Sequence, residues 1–448
     1  MIFLKKRKIS FIQIIALGFA GIIVLGGILL SLPISNRDGM PLDFMDALFT
    51  STSATCVTGL IVHDTYTQFS LFGQIIILCL IQIGGLGFMT VATFFLMMVR
   101  RKIGLTERGI LTDSVSAFQI GGIVRLVRRV IIGTAILEGT GTLLLAIRFC
   151  PQLGFGRGLY YAVFHSVSAF CNAGFDLMGR FEPYSSLILY QNDLLVNMTI
   201  MMLIVMGGIG FVVWDDMIHN KWHYTRYKLH TKLVMLSTVF LIVIGAILFY
   251  LMEKGNTLAN LPPIGKVLAS LFQSVTPRTA GFNTVDTAAL TESGTALTML
   301  LMLVGASPGS TGGGIKTTTV MVILLATLSY VRNDEDINIF KRRLEKNVLK
   351  RAYCSTTIYV MLSILGVFFI MSSQELPIKD IAFEVLSAIG TVGMSTGVTR
   401  ELNSVSRVVI LLLMYSGRVG NLTLAMAILS RISKKTTFRN AEEKIIIG

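Results

Sequence analysis

The chain has 448 residues, of which 53% are hydrophobic and only 14% charged, and its mean hydropathy is +0.71. So few charges cannot keep the surface of a soluble domain wet, so the composition excludes one and places the chain in a bilayer. The formal net charge of +14 raises the alternative of a nucleic-acid partner. The basic residues do not gather on one face or arm, so no nucleic acid is expected.

In chain order, apolar stretches long enough to cross roughly 30 Å of hydrocarbon as helices run over Phe11 to Leu32, Leu71 to Val99, Leu194 to Trp214, Leu233 to Met252 and Ala352 to Gln374. Three further spans carry a polar feature: Val130 to Ile147 with Glu138, Thr295 to Val331 with a Gly-rich break and Lys316, and Val408 to Ser430 with Arg418. Most of the 39 Lys and Arg fall at Lys5 to Lys8, Arg100 to Arg129, Lys221 to Lys232, Arg332 to Arg351 and from Arg431 onward. These segments alternate with segments holding most of the carboxylates, so eight spans put them all on the cytoplasmic side. A multi-pass cell-membrane protein with both termini cytoplasmic is expected. Phe11 to Leu32 exceeds a signal-peptide core of about 7 to 15 residues and no small-x-small site follows, so it reads as a retained span. Cys56, Cys79, Cys150, Cys171 and Cys354 show no metal-ligand spacing; four of them read as reduced packing residues, and no disulfide is required.

Between the spans of each pair lies an apolar segment too short to cross, ending in a small-residue loop. The four read A-L-F-T-S-T-S-A-T-C-V-T-G-L (Ala47 to Leu60), A-V-F-H-S-V-S-A-F-C-N-A-G-F (Ala162 to Phe175), S-L-F-Q-S-V-T-P-R-T-A-G-F (Ser270 to Phe282) and E-V-L-S-A-I-G-T-V-G-M (Glu384 to Met394). Their glycines, Gly59, Gly174, Gly281 and Gly393, recur at roughly a quarter of the chain. A second mark follows each at a near-constant offset: I-G-G-L-G-F (Ile83 to Phe88), M-G-G-I-G-F (Met206 to Phe211), V-G-A-S-P-G (Val304 to Gly309) and S-G-R-V-G-N (Ser416 to Asn421). The expected fold is therefore an all-α integral membrane protein of four membrane helix, pore loop, membrane helix repeats with pseudo-fourfold symmetry around one pore. The repeats occupy residues 1–104, 105–224, 225–346 and 347–432, with a cytoplasmic tail over 433–448.

Irregular backbone at membrane depth must line a cavity or pack in protein. A glycine lets successive carbonyls point the same way, and rings of carbonyls replace the hydration shell of potassium in the T-V-G-Y-G loops of potassium channels. Thr391, Val392 and Gly393 reproduce the first three of those letters. Thr279, Ala280 and Gly281 are a near copy; Val57, Thr58 and Gly59, and Asn172, Ala173 and Gly174, are looser ones. One clear glycine per loop predicts a shorter filter with weaker discrimination against sodium. K+ is the expected cargo, held by the backbone carbonyls of these twelve residues.

These loops, with S-P-G-S-T-G-G-G-I-K at Ser307 to Lys316 and S-G-R-V-G-N-L-T-L at Ser416 to Leu424, resemble the Trk/Ktr/HKT potassium transporter superfamily along essentially the whole chain. The length, with no extra spans ahead of the first repeat, is similar to the bacterial Ktr membrane subunit. The resemblance implies a channel-like potassium uptake subunit, homodimeric, set on a cytosolic ring of nucleotide-binding RCK-type regulatory subunits, with Na+ as a candidate activator and membrane lipid around it. It implies filter glycines at Gly59, Gly174, Gly281 and Gly393. A serine at the first of these accompanies sodium transport in the plant branch, so Gly59 favours potassium. Repeats three and four need small gaps upstream of the glycine, which leaves their pore-helix ends open.

In the third repeat Gly305, Ala306, Ser307, Pro308, Gly309, Ser310, Thr311, Gly312, Gly313 and Gly314 cannot continue a helix, since Pro clashes with the preceding turn and each Gly weakens it by roughly 1 kcal/mol. The other three second spans carry milder breaks. The family's intramembrane gating loop corresponds to this run. Arg418 lies at an equivalent depth, where an unpaired charge costs at least about 3 kcal/mol; it is expected to donate to the loop and help hold it shut. Lys316 either does likewise or reaches the cytoplasmic end to meet a partner or lipid. Glu138 reads as a pair with a neighbouring span rather than a permeation residue, and Arg278 either orients the third loop or forms a salt bridge at the mouth. Lys341 to Arg351, preceded by Asp334, Glu335 and Asp336, is expected to bind the regulatory protein, and the apolar end Ile445 to Gly448 to dock at a subunit interface.

Two other classes fit less well. Secondary transporters show two-part repeats rather than four. An enzyme needs a polar constellation, and His63, His165, His219, His223 and His230 are scattered, while S-T-G-G-G-I-K lacks the spacing of a phosphate loop.

Overall fold

The computed structural model describes residues 11–87, 90–91, 123–221, 223–334, 336–429 and 443. The first basic segment, much of the second, and the tail from residue 430 with Ile445 to Gly448 lie outside the described residues, as do Phe88 and Glu335. In chain order the helices are α1 (Phe11–Ser31), α2 (Phe44–Thr55) and α3 (Leu71–Leu86); α4 (Ile123–Leu153), α5 (Phe155–Phe170), α6 (Leu194–Gly208) and α7 (Phe211–Asn220); α8 (Leu229–Glu253), α9 (Pro263–Val275), α10 (Glu292–Leu303) and α11 (Thr317–Val331); and α12 (Lys346–Ser373), α13 (Ile378–Gly390), α14 (Ser404–Val419) and α15 (Asn421–Leu429). Long helix, shorter helix, loop and helix thus recur four times. A two-residue hairpin, Asn338–Ile339 with Arg342–Arg343, follows α11 and departs from an all-α chain.

The short helices α2, α5, α9 and α13 have 12 to 16 residues, too few at 1.5 Å per residue to cross roughly 30 Å. Each leans on the long helix before it: α1 on α2, α4 on α5, α8 on α9, α12 on α13. Between sets, α3 packs on α5, α6 on α9, α10 on α13 and α14 on α2, so the fourth set returns to the first. The helix after each loop begins at a side-chain cap. Ser70 accepts from Gly73 N, Asp193 from Val196 N, Thr291 from Gly294 N and Asn403 from Ser406 N, each cap contributing about 1 kcal/mol. Large apolar residues stay exposed along the long helices, among them Leu236, Val239 and Phe240 on α8 and Phe368 and Phe369 on α12. Such surfaces suit lipid, and the chain is a multi-pass membrane protein.

The expectation of milder breaks in three of the second spans is corrected. α6 and α7 meet at 95° and α14 and α15 at 98°, because Gly210 at φ 98° and Gly420 at φ 96° take backbone closed to other residues. α3 likewise stops at Gly87, φ 81°. Among the described residues four helices are long and apolar enough to cross unaided, six if each bent pair counts as one span. What distinguishes the third repeat is a loop, residues 304–316, between α10 and α11 rather than a single corner.

Candidate functional site

Each short helix ends in the same backbone. The residue two before each loop glycine is left-handed, Val57 at φ 50°, Asn172 at 57°, Thr279 at 71° and Thr391 at 51°, and the glycines follow with Gly59 at 95°, Gly174 at 70°, Gly281 at 83° and Gly393 at 91°. For β-branched Val57, Thr279 and Thr391 this conformation costs on the order of 1–3 kcal/mol each. Hydrogen bonds from the loop back to the helix hold it. Thr58 N donates to Ser53 O, Ala173 N to Ser168 O and Val392 N to Ser387 O, all at 2.8 Å. In the third loop Ala280 N donates to Thr276 O at 2.9 Å. Thr276 Oγ1 reaches Phe282 O at 2.7 Å, as Ser168 Oγ reaches Phe175 O at 2.6 Å. Only the third loop is therefore out of step, by one residue; the fourth needs no gap, since Ser387 stands where Ser53 and Ser168 do.

The four loops meet. A Cβ on Gly59 would lie 2.7 Å from Ala173 O, one on Gly174 2.8 Å from Ala280 O, and one on Gly281 2.7 Å from Val392 O; on Gly393 it would overlap Thr58 O. Each glycine thus lies against the carbonyl that precedes the next loop's glycine, and the cycle closes. Val57, Thr58, Asn172, Ala173, Thr279, Ala280, Thr391 and Val392 have no exposed surface. All twelve residues expected at a filter are brought together.

The Gly305–Gly314 loop lies against the residues that precede this ring. Cβ atoms on Gly312 and Gly313 would collide with Thr279 Oγ1 and Thr391 Oγ1, and Gly313 N donates to Thr391 Oγ1 at 3.0 Å. Loop backbone knits into the corner of the second repeat: Ser307 N to Gly208 O at 2.9 Å, Phe211 N to Gly309 O at 2.7 Å and Thr311 N to Gly207 O at 3.2 Å. Thr311 Oγ1 reaches Phe170 O at 3.2 Å. Within the loop Gly305 N bonds Ile315 O at 2.8 Å, Thr317 N bonds Ala306 O at 3.4 Å, and Ser310 Oγ bonds Ser307 O at 2.7 Å. Pro308 O faces Gly210, and Gly314 takes φ 69° against Gly390.

Arg418 donates to Thr311 O, to Gly84 O and, at 3.0 Å, to Gly85 O, tying the loop to the first repeat. Its charge is thereby solvated by three carbonyls. Lys316 Nζ turns back onto Gly312 O at 2.7 Å and Gly313 O at 3.3 Å, within its own loop. Glu138 accepts from Gln82 of α3 at 3.3 Å, the expected pair. Arg278 is 7% exposed and donates to Thr238 Oγ1 of α8 at 3.4 Å, with no ion pair among the described residues.

Sequence reading missed a second set of glycines, on the long helices. A Cβ on Gly26, Gly141 or Gly245 would meet the hydroxyl of Ser51, Ser166 or Ser274, and on Gly366 the side chains of Leu413 and Val385. Those hydroxyls bond Ile23 O at 2.7 Å, Glu138 O at 2.7 Å and Ile242 O at 2.8 Å, each carbonyl three residues before its glycine. Gly84, Gly207 and Gly417 of the second mark likewise press on Thr55 O, Phe170 O and Ile389 O, the carbonyls four residues before three of the loop glycines.

Comparison with known proteins bears on this geometry. The family model described as TrkH, cation transport protein, matches residues 23–437. The chain is 41% identical over 413 residues to the Ktr system potassium uptake protein B of Bacillus subtilis, covering 92% of this chain and 91% of that protein. It is 36% identical over 460 residues to the potassium/sodium uptake protein NtpJ of Enterococcus hirae, covering both in full. The crystal structure of the potassium transporter TrkH from Vibrio parahaemolyticus superposes with a TM-score of 0.75 over 95% of this chain and 86% of that one, at 17% identity.

Proposed function

The chain belongs to the TrkH family of cation transport proteins, and on that premise we propose that it is the membrane subunit of a potassium uptake system whose cation passes through the ring of four loops. The closed cycle of glycine and carbonyl contacts carries the reading. A cation entering such a ring exchanges water oxygens for the carbonyls of Thr58, Ala173, Ala280 and Val392, and the close approach of the glycines is what lets four backbones share one axis. Four repeats in pseudo-fourfold order around one pore account for the packing of each set on the next. The short helices, ending at the loops, point their negative dipole ends at the same region, which favours a cation.

The Gly305–Gly314 loop is the gate in this reading. It runs beneath Thr279 and Thr391, is anchored by Arg418 and braced within itself by Lys316, and the Arg418 guanidinium beside it places a positive charge on the path, which repels a cation while the loop stays in place. Opening requires Arg418 to release Thr311 O, and its bonds to Gly84 O and Gly85 O keep the guanidinium solvated when it does.

Partners follow from the relatives. Membership of a Ktr system implies a separate regulatory subunit, for which we propose a nucleotide-binding cytosolic ring beneath a homodimer. The potassium/sodium relative supports Na+ as a second ion that activates or accompanies transport. Flux of K+ and Rb+ into liposomes holding the purified chain, with Na+ and Li+ as competitors, tests the reading. K+ and Rb+ should pass and compete with each other while Na+ and Li+ pass poorly; equal passage of all four would remove the carbonyl ring as a filter.

A further inference from the structure

On the side of the ring away from the gate, the segment Phe181 to Leu187 of the second repeat reaches all three other repeats. Tyr184 Oη donates to Val62 O at 3.2 Å, three residues past Gly59, and Tyr184 N donates to Asp64 Oδ2 at 3.3 Å. The guanidinium of Arg400, seven residues past Gly393, stacks over the Tyr184 ring at 4.4 Å from its centroid. Asn283, two residues past Gly281, donates its N–H to Ser186 Oγ at 3.1 Å and accepts from Leu187 N at 2.9 Å.

The segment is held under strain. Tyr184 at φ 63° and Ser186 at φ 46° are both left-handed without being glycine, a state that persists only where the surroundings over-determine it. Each is pinned by a carboxylate. Asp64, 4% exposed, takes the Tyr184 N–H while its other oxygen caps the turn Thr65–Gln68 through Tyr66 N at 3.0 Å and Thr67 N at 2.8 Å. Asp176, two residues past Gly174, takes the Ser186 hydroxyl and Met178 N, the latter at 2.8 Å. A segment with no other assignment is therefore fixed to the outer continuation of every loop in the ring.

Resting on the filter reading above, we infer that residues 181–187 form a strap that sets the width of the ring's outer mouth, with Tyr184 as the positioning residue for potassium over sodium. A carbonyl ring discriminates only while its oxygens are held at the spacing or field that suits the larger ion. Tyr184 holds the exit of the first loop through Val62 O, and Arg400 presses the tyrosine in place from the fourth repeat. Freed from the strap, the first loop contracts around the smaller cation.

The test compares K+ and Na+ fluxes in liposomes for the full chain, Tyr184→Phe and Tyr184→Ala. Tyr184→Phe removes only the bond to Val62 O and keeps the ring and the N–H. Its K+ to Na+ flux ratio should fall about threefold, and that of Tyr184→Ala about tenfold, with the maximal K+ flux of both within about twofold of the parent. A Tyr184→Phe ratio equal to the parent's overturns the strap, and so does a loss confined to the amount of active protein. Should Tyr184→Ala not fold, Tyr184→Phe decides alone. Failure of the parent chain to prefer K+ sinks the filter reading itself, whereas a selective parent with an equally selective Tyr184→Phe sinks only the strap.

Discussion

The ring of loops and the breaks in the helices that follow it obey opposite rules. At the ring, V-T-G, N-A-G, T-A-G and T-V-G are unlike in side chain and nearly alike in backbone, with eight positive φ angles in the same places. At the breaks, similar glycine marks give corners of 95° and 98° at Gly210 and Gly420 but an open loop in the third repeat. In the reading proposed above, the backbone is equal where four carbonyls share one task and unequal where one repeat alone blocks the path.

The comparison breaks hardest at Gly393. Gly393→Ala drives a Cβ into Thr58 O at φ 91°, so K+ flux should fall at least about a hundredfold while the protein still assembles, measured as Rb+ uptake in liposomes. Deleting Ala306 to Gly313 acts at the other level and should raise the maximal K+ flux about tenfold with little change in the half-saturating concentration, since velocity belongs to the gate and affinity to the ring. Loss of transport by a folded deletion would make the loop a permeation element. Arg418→Ala should raise flux less, about threefold, because the backbone bonds of Ser307, Gly309 and Thr311 to Gly208, Phe211 and Gly207 still hold the loop. Gly59→Ser keeps transport but should lower the K+ to Na+ ratio about fivefold, read as uptake in a potassium-dependent host.

The smallest effect expected is a pH effect. The Asp176 carboxyl in the outer loop is pushed up from 3.8 to about 7, by loss of contact with water first and by the Asp64 charge, against the pull of Met178 N and Ser186. Its folded-state value is the raised one, so whatever the protonated group contributes to the strap is complete in acid and is lost as pH rises through about 7. Asp176→Asn should therefore match the parent's flux ratio at pH 6 and differ from it, by about twofold, at pH 8.

Much of the ring was legible in the sequence because its glycines are forced: close approach of backbones admits no Cβ, and that constraint writes the same letter four times. Arg418 was placed at the loop from register alone, and its donation to Thr311 O follows. The corners at Gly210 and Gly420 were not legible as corners, since a glycine inside an apolar run reads the same whether its φ is −60° or +98°. The strap was invisible for another reason. Tyr184, Asp64, Asn283 and Arg400 lie far apart in the chain and carry no periodicity, so only the closure of the four sets brings them together. The glycines Gly26, Gly141, Gly245 and Gly366 share their helices with other small residues, such as Gly27, Gly139 and Ala246, so nothing singles them out until the neighbour each one touches is known.

The contacts of the glycines with carbonyls run one way around the ring: Gly59 meets that of the second loop, Gly174 the third, Gly281 the fourth and Gly393 the first. Injury and lesion are therefore in different repeats. A bulky residue at position 59 displaces Ala173 O and leaves its own carbonyl at Thr58 to be judged by Gly393, so the ring has a handedness that its near-equal loops conceal. Second-site revertants of Gly59→Ser should accordingly accumulate around Ala173 and the α5 residues that hold it, rather than in the loop that carries the change.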